Sequence, residues 1–348
     1  MATEPLPPPV RSALRAVARH GLAGDGDGPP PGALDDGDWR RLVAAVREER
    51  LTGLLDRAVA DGALAATPAQ AEEAEERAAG FLRGTLRLER ALVDVAACLG
   101  HGGVPFLVLK GPAVARLDEP DAALRHYVDL DLLVAGADLD SAVSSLAALG
   151  YRRDLPERRA GFDRRFAKEI SLASPRAPEV DVHRTLVLGA FGLRLDLGAF
   201  WASPAPFSVG GAALAALDAE GRFAHACLNA VLGDEHPRLL ALRDVARIST
   251  AHRLRPERLG RLLPPGRAAP RRRRSRRRPC RVGGNGWHCG PTAPRAAPTP
   301  WSCCPACWAS PGRTGSTTSG ACSAPTPATW RRAAGPAGPA SGAPASGR

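Results

Sequence analysis

No stretch of this 348-residue chain stays apolar for the roughly 18–20 residues that a membrane-spanning helix needs. The first ten residues, Met1 to Val10, are proline-rich and carry no basic side chain, so they do not have the layout of a secretory signal. Cysteine is scarce over the first 263 residues, which hold only Cys98 and Cys227. That excludes a disulfide framework and leads us to expect a reducing, cytoplasmic setting. Both cysteines fall in helical stretches and read as small core residues. Lysine is scarcer still in context, because Lys110 and Lys168 stand against 31 arginines in the same 263 residues. Gly-x-Ser-x-Gly, His-Glu-x-x-His, the Walker lysine loop and a complete dinucleotide fingerprint are all missing. Secretion, membrane spanning and the chemistries those motifs carry are set aside.

A formal charge of +11 would normally point to a nucleic-acid or anionic-membrane partner. Its distribution says otherwise. Residues 264–348 contain 14 arginines and no Asp, Glu or Lys, which leaves 33 basic against 36 acidic residues in 1–263, a net of −3. The body is slightly acidic, which argues against nucleic acid as its partner. The same C-terminal segment has no Leu, Ile, Phe, Tyr or Met, and Val282 alone among β-branched aliphatics. With so little to bury, ordering it would cost about 1–2 kcal/mol per residue without return. We expect a disordered C-terminal tail and an ordered part ending near Leu263. Its Arg, Pro, Ala, Gly, Ser, Cys and Trp are what high-GC coding sequence yields out of frame, and that reading accounts for most of it. Two others stay open: a basic patch over 271–278, and half a zinc site at Cys304-Pro-Ala-Cys307, near Cys303, Cys289 and His288.

Along the body, residues 11–20 read as a short helix. Gly24-Asp-Gly-Asp-Gly-Pro-Pro-Pro-Gly32 is a linker by composition. Asp25, Asp27 and Gly28 fall short of a calcium loop, since Pro29 takes the next ligand position and no Glu closes it. Residues 39–65 have a helical pattern. Thr67 and Pro68 suit the cap and first turn of a helix running to Leu99, with Leu88, Leu92, Val95 and Leu99 as one buried stripe. Gly100, Gly102 and Gly103 end it. Residues 104–109 form a compact apolar run, a buried strand. Gly111-Pro112 then turns the chain into a helix reaching about Leu124, and 128–134 reads as a second strand. Asp138 caps a helix with Leu139, Val143 and Leu146 facing the core, and Gly150 closes it. Further strands are expected at 170–172 and 179–183, and helical periodicity returns over 212–252. The expected organisation is a short helix and linker (1–38), a helical lead-in (39–100), an α/β core (101–200), a helical part (201–263) and the tail (264–348).

Asp129-Leu130-Asp131 interrupts an apolar strand. A period of two puts both carboxylates on one face, with Leu130 and Leu132 on the other. Paired carboxylates repel and lose solvation, so they need a cation or basic partners, and hard divalent ions, magnesium above all, suit oxygen ligands. Asp181 and His183 repeat the arrangement between Val180 and Val182. Three carboxylates on neighbouring strands would form a two-metal site of the phosphoryl-transfer kind. His101 and His126 lie close to these strands.

Leu107-Val-Leu-Lys-Gly111, a helix, Arg125 and then Val128-Asp-Leu-Asp-Leu-Leu-Val134 resemble the nucleotidyltransferases of the DNA polymerase β superfamily. More narrowly, they resemble the uncharacterised bacterial branch with a Leu-Lys-Gly element and an Arg-x-x-x-Asp-x-Asp-Leu-Leu-Val strand. The resemblance spans about 39–248 and includes Val180-Asp-Val-His-Arg184 and Leu242-Arg-Asp-Val245. It implies an α+β fold, a small mixed sheet flanked by N- and C-terminal helices. It also implies Mg2+ (or Mn2+) and a nucleoside triphosphate, with transfer of the nucleoside monophosphate to an acceptor. Carried over by position, Asp129, Asp131 and Asp181 match the catalytic, metal-binding carboxylates, Asp181 on the acceptor side. Lys110, Gly111 and Arg125 match the nucleotide-binding side, with Arg125 open between phosphate and a carboxylate partner. His183 is an acceptor-side candidate. The usual Gly-Ser or Gly-Gly is here Gly111-Pro112, which removes a phosphate-binding hydroxyl and an amide donor. That departure keeps one alternative open, a non-catalytic member that binds nucleotide or a partner.

Overall fold

The computed structural model describes residues 5–22, 32–233 and 236–263. The expectations for the linker at 24–31, its acidic residues and the tail from 264 lie outside the described residues. Four helices come first: α1 (Pro8–Arg19), α2 (Asp36–Glu48), α3 (Thr52–Ala60) and α4 (Pro68–His101). The single helix expected over 39–65 is thus two, broken at Arg50, whose φ of 59° lies in the left-handed region. The start of α4 is as its sequence indicates. Thr67 accepts from the Gln70 amide at 3.3 Å, and the Gln70 side chain accepts from the Thr67 amide at 3.1 Å, a reciprocal cap. Among the described residues, no helix is long and apolar enough to cross a membrane.

The sheet begins with β1 (Phe106–Val108), followed by α5 (Lys110–Leu117), a 3₁₀ turn at Ala122–Leu124, and β2 (Leu130–Val134). The helix expected to reach Leu124 therefore stops at Leu117, and Asp129 lies just before β2 rather than inside it. Next come α6 (Leu139–Ala148), β3 (Arg152–Arg153), α7 (Phe162–Phe166), β4 (Glu169–Ser174) and β5 (Ala177–His183). After α8 (Gly189–Gly192) and α9 (Leu197–Trp201), a hairpin of β6 (Ala205–Val209) and β7 (Ala212–Ala216) returns to the sheet. Helices α10 (Ala219–Leu232), α11 (Leu239–Ala251) and α12 (Pro256–Leu262) finish the described chain. Residues 212–216 were expected to be helical. Their alanine-rich composition favours helix in isolation, but β7 is held by the five-residue register with β6 and by Val108 of β1.

Among the described residues, seven strands run in the order β3-β4-β5-β2-β1-β7-β6, with β2 parallel to β5, β1 parallel to β7, and the other pairs antiparallel. The fold is the expected α+β mixed sheet between helices. One sheet face packs Leu130, Leu132, Val180 and Val182 against Leu92, Val95 and Leu99 of α4 and Leu146 of α6. The other packs Leu107, Leu109 and Leu133 against Phe200, Leu217 and Leu228. Each fully buried aliphatic side chain contributes about 1.5–3 kcal/mol. A separate cluster, with Leu42, Leu51, Leu54 and Leu55, joins the first three helices to Leu124 and Leu240.

Candidate active site

The strand period of two does what the sequence pattern requires. Leu130 and Leu132 enter the core under α4, so Asp131 turns to the opposite face, where it is 2% exposed. Parallel pairing sets Asp131 opposite Asp181 and Leu133 opposite His183. Antiparallel pairing on the other side of β5 sets Ser171 opposite Asp181 and Glu169 opposite His183. Three adjacent strands thus present one polar band on a face otherwise packed with leucines. Ligand atoms of Asp131, Asp181 and His183 all lie within 4.8 Å of one another.

Asp131 is the hub of this band. Lys110 Nζ donates to its Oδ1 at 2.7 Å, and His183 Nε2 lies 2.7 Å from the same oxygen and 3.2 Å from Glu169 Oε2. With two acceptor carboxylates facing it, Nε2 is the donor. Burial works to raise the Asp131 pKa, but the Lys110 ammonium and His183 outweigh it and hold the carboxyl well below the usual range. The reciprocal effect raises Lys110 despite its burial. Asp181 goes the other way. Burial raises it, the bond from Ser171 Oγ (2.6 Å) opposes this, and the charges of Glu169 and Asp131 add to the rise.

Lys110 has φ +40°, a conformation costly for a side-chain-bearing residue. Gly111, next to it, is required by packing. A Cβ there would lie 2.8 Å from Cβ and Cγ of Tyr127, so this glycine makes room for a ring as well as lining the cleft. Arg125, left open between phosphate and carboxylate, is buried and forked onto Asp244 at 3.1 and 2.6 Å. His183 is fully buried, behind Asp131 and away from the cleft lining. Of the neighbouring histidines, His101 is exposed with Nδ1 2.6 Å from the Ala97 carbonyl, and His126 stacks on Phe81 at 4.2 Å. Neither lines the cleft. Cys98 and Cys227 are only half-buried, so they are not full core residues.

In front of the band opens a cleft of about 270 Å³. Asp129, Asp131 and Asp244 form its acidic part, and Arg50, Lys110, Arg125, Lys168 and Arg238 supply cations, Arg125 and Asp244 being paired with each other. Asp129, Arg50 and Arg238 make no hydrogen bond or ion pair through their side chains among the described residues. Lys168 is three-quarters buried, 2.7 Å from Glu169, and part of the cleft. Arg50 and Arg238 have no signal in the sequence that marks them, since each comes from a helix junction brought in by the packing of α2–α3 and α11.

A family model described as uncharacterised nucleotidyltransferase matches residues 35–259. This chain is a member of that family. No curated protein matches it. Three solved nucleotidyltransferase structures resemble it at low identity. The solution structure of the antibiotic-resistance factor ANT(2'')-Ia is 14% identical, with a TM-score of 0.34 over 51% of this chain and 87% of that one. The lincosamide antibiotic adenylyltransferase LnuA, lincomycin-bound, is 12% identical, with a TM-score of 0.33 over 47% and 97%. An antigenic nucleotidyltransferase-like protein from Paracoccidioides brasiliensis is 15% identical, with a TM-score of 0.31 over 47% and 75%. For this nucleotidyltransferase, the group that could hold a metal ion is Asp131, Asp181 and His183, whose carboxylate oxygens suit a hard divalent cation. Asp129 lies outside that group and has no side-chain partner among the described residues, and Asp131 has one oxygen engaged by Lys110 and His183.

Proposed function

We propose that this chain is a divalent-metal-dependent nucleotidyltransferase that moves a nucleoside monophosphate from a nucleoside triphosphate to an acceptor. The observation that carries the reading is the single cleft in which Asp129 and Asp131 face Arg50, Lys110, Lys168 and Arg238. Carboxylates side by side need a cation, and a triphosphate needs several, so one pocket matches both halves of a metal–nucleotide pair. Asp129 and Asp131, with Asp181 beside them, would hold magnesium or manganese. The bound metal supplies charge neutralisation on the phosphate oxygens and lowers the cost of ionising the acceptor hydroxyl.

Each chain residue then has a role. His183 and Glu169 hold Asp131 in place from behind. Lys110 balances Asp131, and would turn to phosphate when that carboxylate is otherwise engaged. Arg50 and Arg238 bind the outer phosphates. In the reaction, the acceptor oxygen forms a bond to the α-phosphorus as the bridging P–O bond to the β-phosphate breaks. The electron pair leaves with pyrophosphate, and Asp181 receives the acceptor proton. Arg125 lines the cleft with its charge already forked onto Asp244, so it fixes the segment between the 3₁₀ turn and β2 and adds positive field there.

The test is calorimetric titration of ATP, GTP, CTP and UTP into the wild type and Asp131→Asn, in magnesium and in a chelator. At least one triphosphate is expected to bind in magnesium, and to lose most affinity in chelator and in the variant. Binding of equal strength with and without metal would overturn the reading in favour of a non-catalytic nucleotide binder.

A further inference from the structure

The cleft does not stand alone. A second chamber of about 580 Å³ adjoins it, and Lys168, Asn229 and Gly233 line both. We propose that this chamber is the acceptor site, and that it takes an uncharged small molecule with hydroxyl groups at one end and an apolar body at the other. The inference rests on the nucleotidyl-transfer reading and supplies the substrate class that the reading leaves blank.

Position comes first. Ser171 lines the chamber, and its hydroxyl donates to Asp181 at 2.6 Å. Ser171 thus links the chamber to the carboxylate assigned to take the acceptor proton, Asp181 itself lining neither the chamber nor the cleft. Size agrees, because small-molecule sites commonly enclose about 300–1,000 Å³ and the chamber, at about 580 Å³, falls in that range.

Charge narrows the class. The lining carries three cations, Arg153, Arg158 and Lys168, and three carboxylates, Asp154, Asp163 and Glu169. Within the lining they neutralise one another, Arg153 pairing with Asp163 and Lys168 with Glu169. A polycationic acceptor would require an excess of carboxylates and a polyanion an excess of cations, so this balance disfavours both. The apolar component is just as specific. Leu155 and Leu188 are 73% and 67% exposed at the chamber, with Leu232 at 38% and Phe162 alongside. Exposed leucines are ordinary when scattered, but gathered around one concave site they mark a surface that an apolar group covers.

The experiment uses the full chain loaded with magnesium and a non-hydrolysable ATP analogue. Three probes are titrated and followed by ligand-observed NMR: n-hexyl β-D-glucoside, the polycation kanamycin and a twelve-residue oligouridylate. The glucoside is expected to saturate, and to bind at least about tenfold more tightly than either charged probe. Leu188→Asp and Leu155→Asp, both at exposed positions that folding does not need, should each weaken the glucoside about tenfold or more while nucleotide affinity stays within about twofold. A glucoside that does not saturate, tighter binding of kanamycin or oligouridylate, or indifference to both substitutions would overturn the proposal. Nucleotide affinity is read separately by calorimetry. Loss of glucoside binding with nucleotide still bound sinks this inference alone, whereas absence of metal-dependent nucleotide binding sinks the transferase reading and the acceptor role with it.

Discussion

At the scale of single residues, the two lysines of the described chain divide their work unequally. Lys110 reaches Asp131 from a strained backbone, while Lys168 reaches the cleft from the edge it shares with the neighbouring chamber. Lys110→Ala should weaken triphosphate binding by about 1.5–3 kcal/mol, the range of a charge-assisted contact, and Lys168→Ala by about 1 kcal/mol. Calorimetry on both variants checks the order, and equal, negligible losses would mean that neither meets phosphate. His225 is a different case. It is 3% exposed, its Nε2 has no hydrogen-bond partner, and burial, helped by the charges of Lys110 and His183, pushes its pKa well below the usual value. His126 is lowered to about 4, again mainly by burial, with Arg50 and Arg125 adding to it. Above pH 6.5 both states hold these rings neutral and nothing is lost. Below it the unfolded chain takes up protons that the folded chain refuses, so stability falls as the pH drops from about 6.5 toward about 4. The wholly buried His225 contributes up to roughly 1.4 kcal/mol per pH unit, and the half-buried His126 less. Urea midpoints measured from pH 7.5 to 5 should therefore fall in the wild type and fall less steeply in His225→Leu.

At the scale of elements, the break between α2 and α3 does two things at once. It turns the chain so that Leu51 and Leu54 both enter the N-terminal core, and it places Arg50 at the cleft. The cost is a left-handed arginine, about 1–2 kcal/mol. Arg50→Gly removes that strain and the cation together. Its extra freedom in the unfolded chain offsets part of the relief, so stability should change by less than about 1 kcal/mol. Triphosphate affinity should drop severalfold all the same. A large loss of stability with unchanged affinity would show that the arginine serves the turn and not the ligand. The same separation explains why a helical pattern read across 39–65 hides a functional residue. Periodicity reports which face is apolar, not where the backbone reverses.

At the scale of the whole molecule, buried ion pairs tie the C-terminal helices to the segment between β1 and β2. Arg222 forks onto Asp118 at 2.8 Å through both nitrogens, Arg243 onto Glu119 at 3.1 and 3.2 Å, and Arg125 onto Asp244. Such pairs add little net stability, because desolvation cancels much of the attraction, but removing one partner strands the other. Asp244→Asn should cost about 3–5 kcal/mol by chemical denaturation, and Arg125→Met with Asp244→Leu should recover most of it. If the single and double variants lose the same amount, the pair is not the source of the cost. The arrangement also gives the late Leu242-Arg-Asp-Val245 segment its meaning, since its two charged residues hold Glu119 and Arg125 in the segment that leads into β2.

The sequence alone determined the four strands β1, β2, β4 and β5, the cap of α4, the buried stripe at Leu88, Leu92, Val95 and Leu99, and the face shared by Asp131, Asp181 and His183. These are local properties, readable from a period of two or of 3.6 and from side-chain chemistry. It also carried the motifs whose resemblance led to the right family. Only the tertiary structure decided that Arg125 belongs to Asp244, that Gly111 is there for Tyr127, and that 212–216 is a strand. It alone brought Arg50, Lys168 and Arg238 to one cleft, and set a larger, charge-balanced chamber beside it. The reason is separation along the chain. Arg125 and Asp244 are 119 residues apart and Arg243 and Glu119 are 124 apart, and no local periodicity encodes which distant charge will fill a buried site. That choice is made when the two sheet faces close over their helices and every buried ion must find its partner.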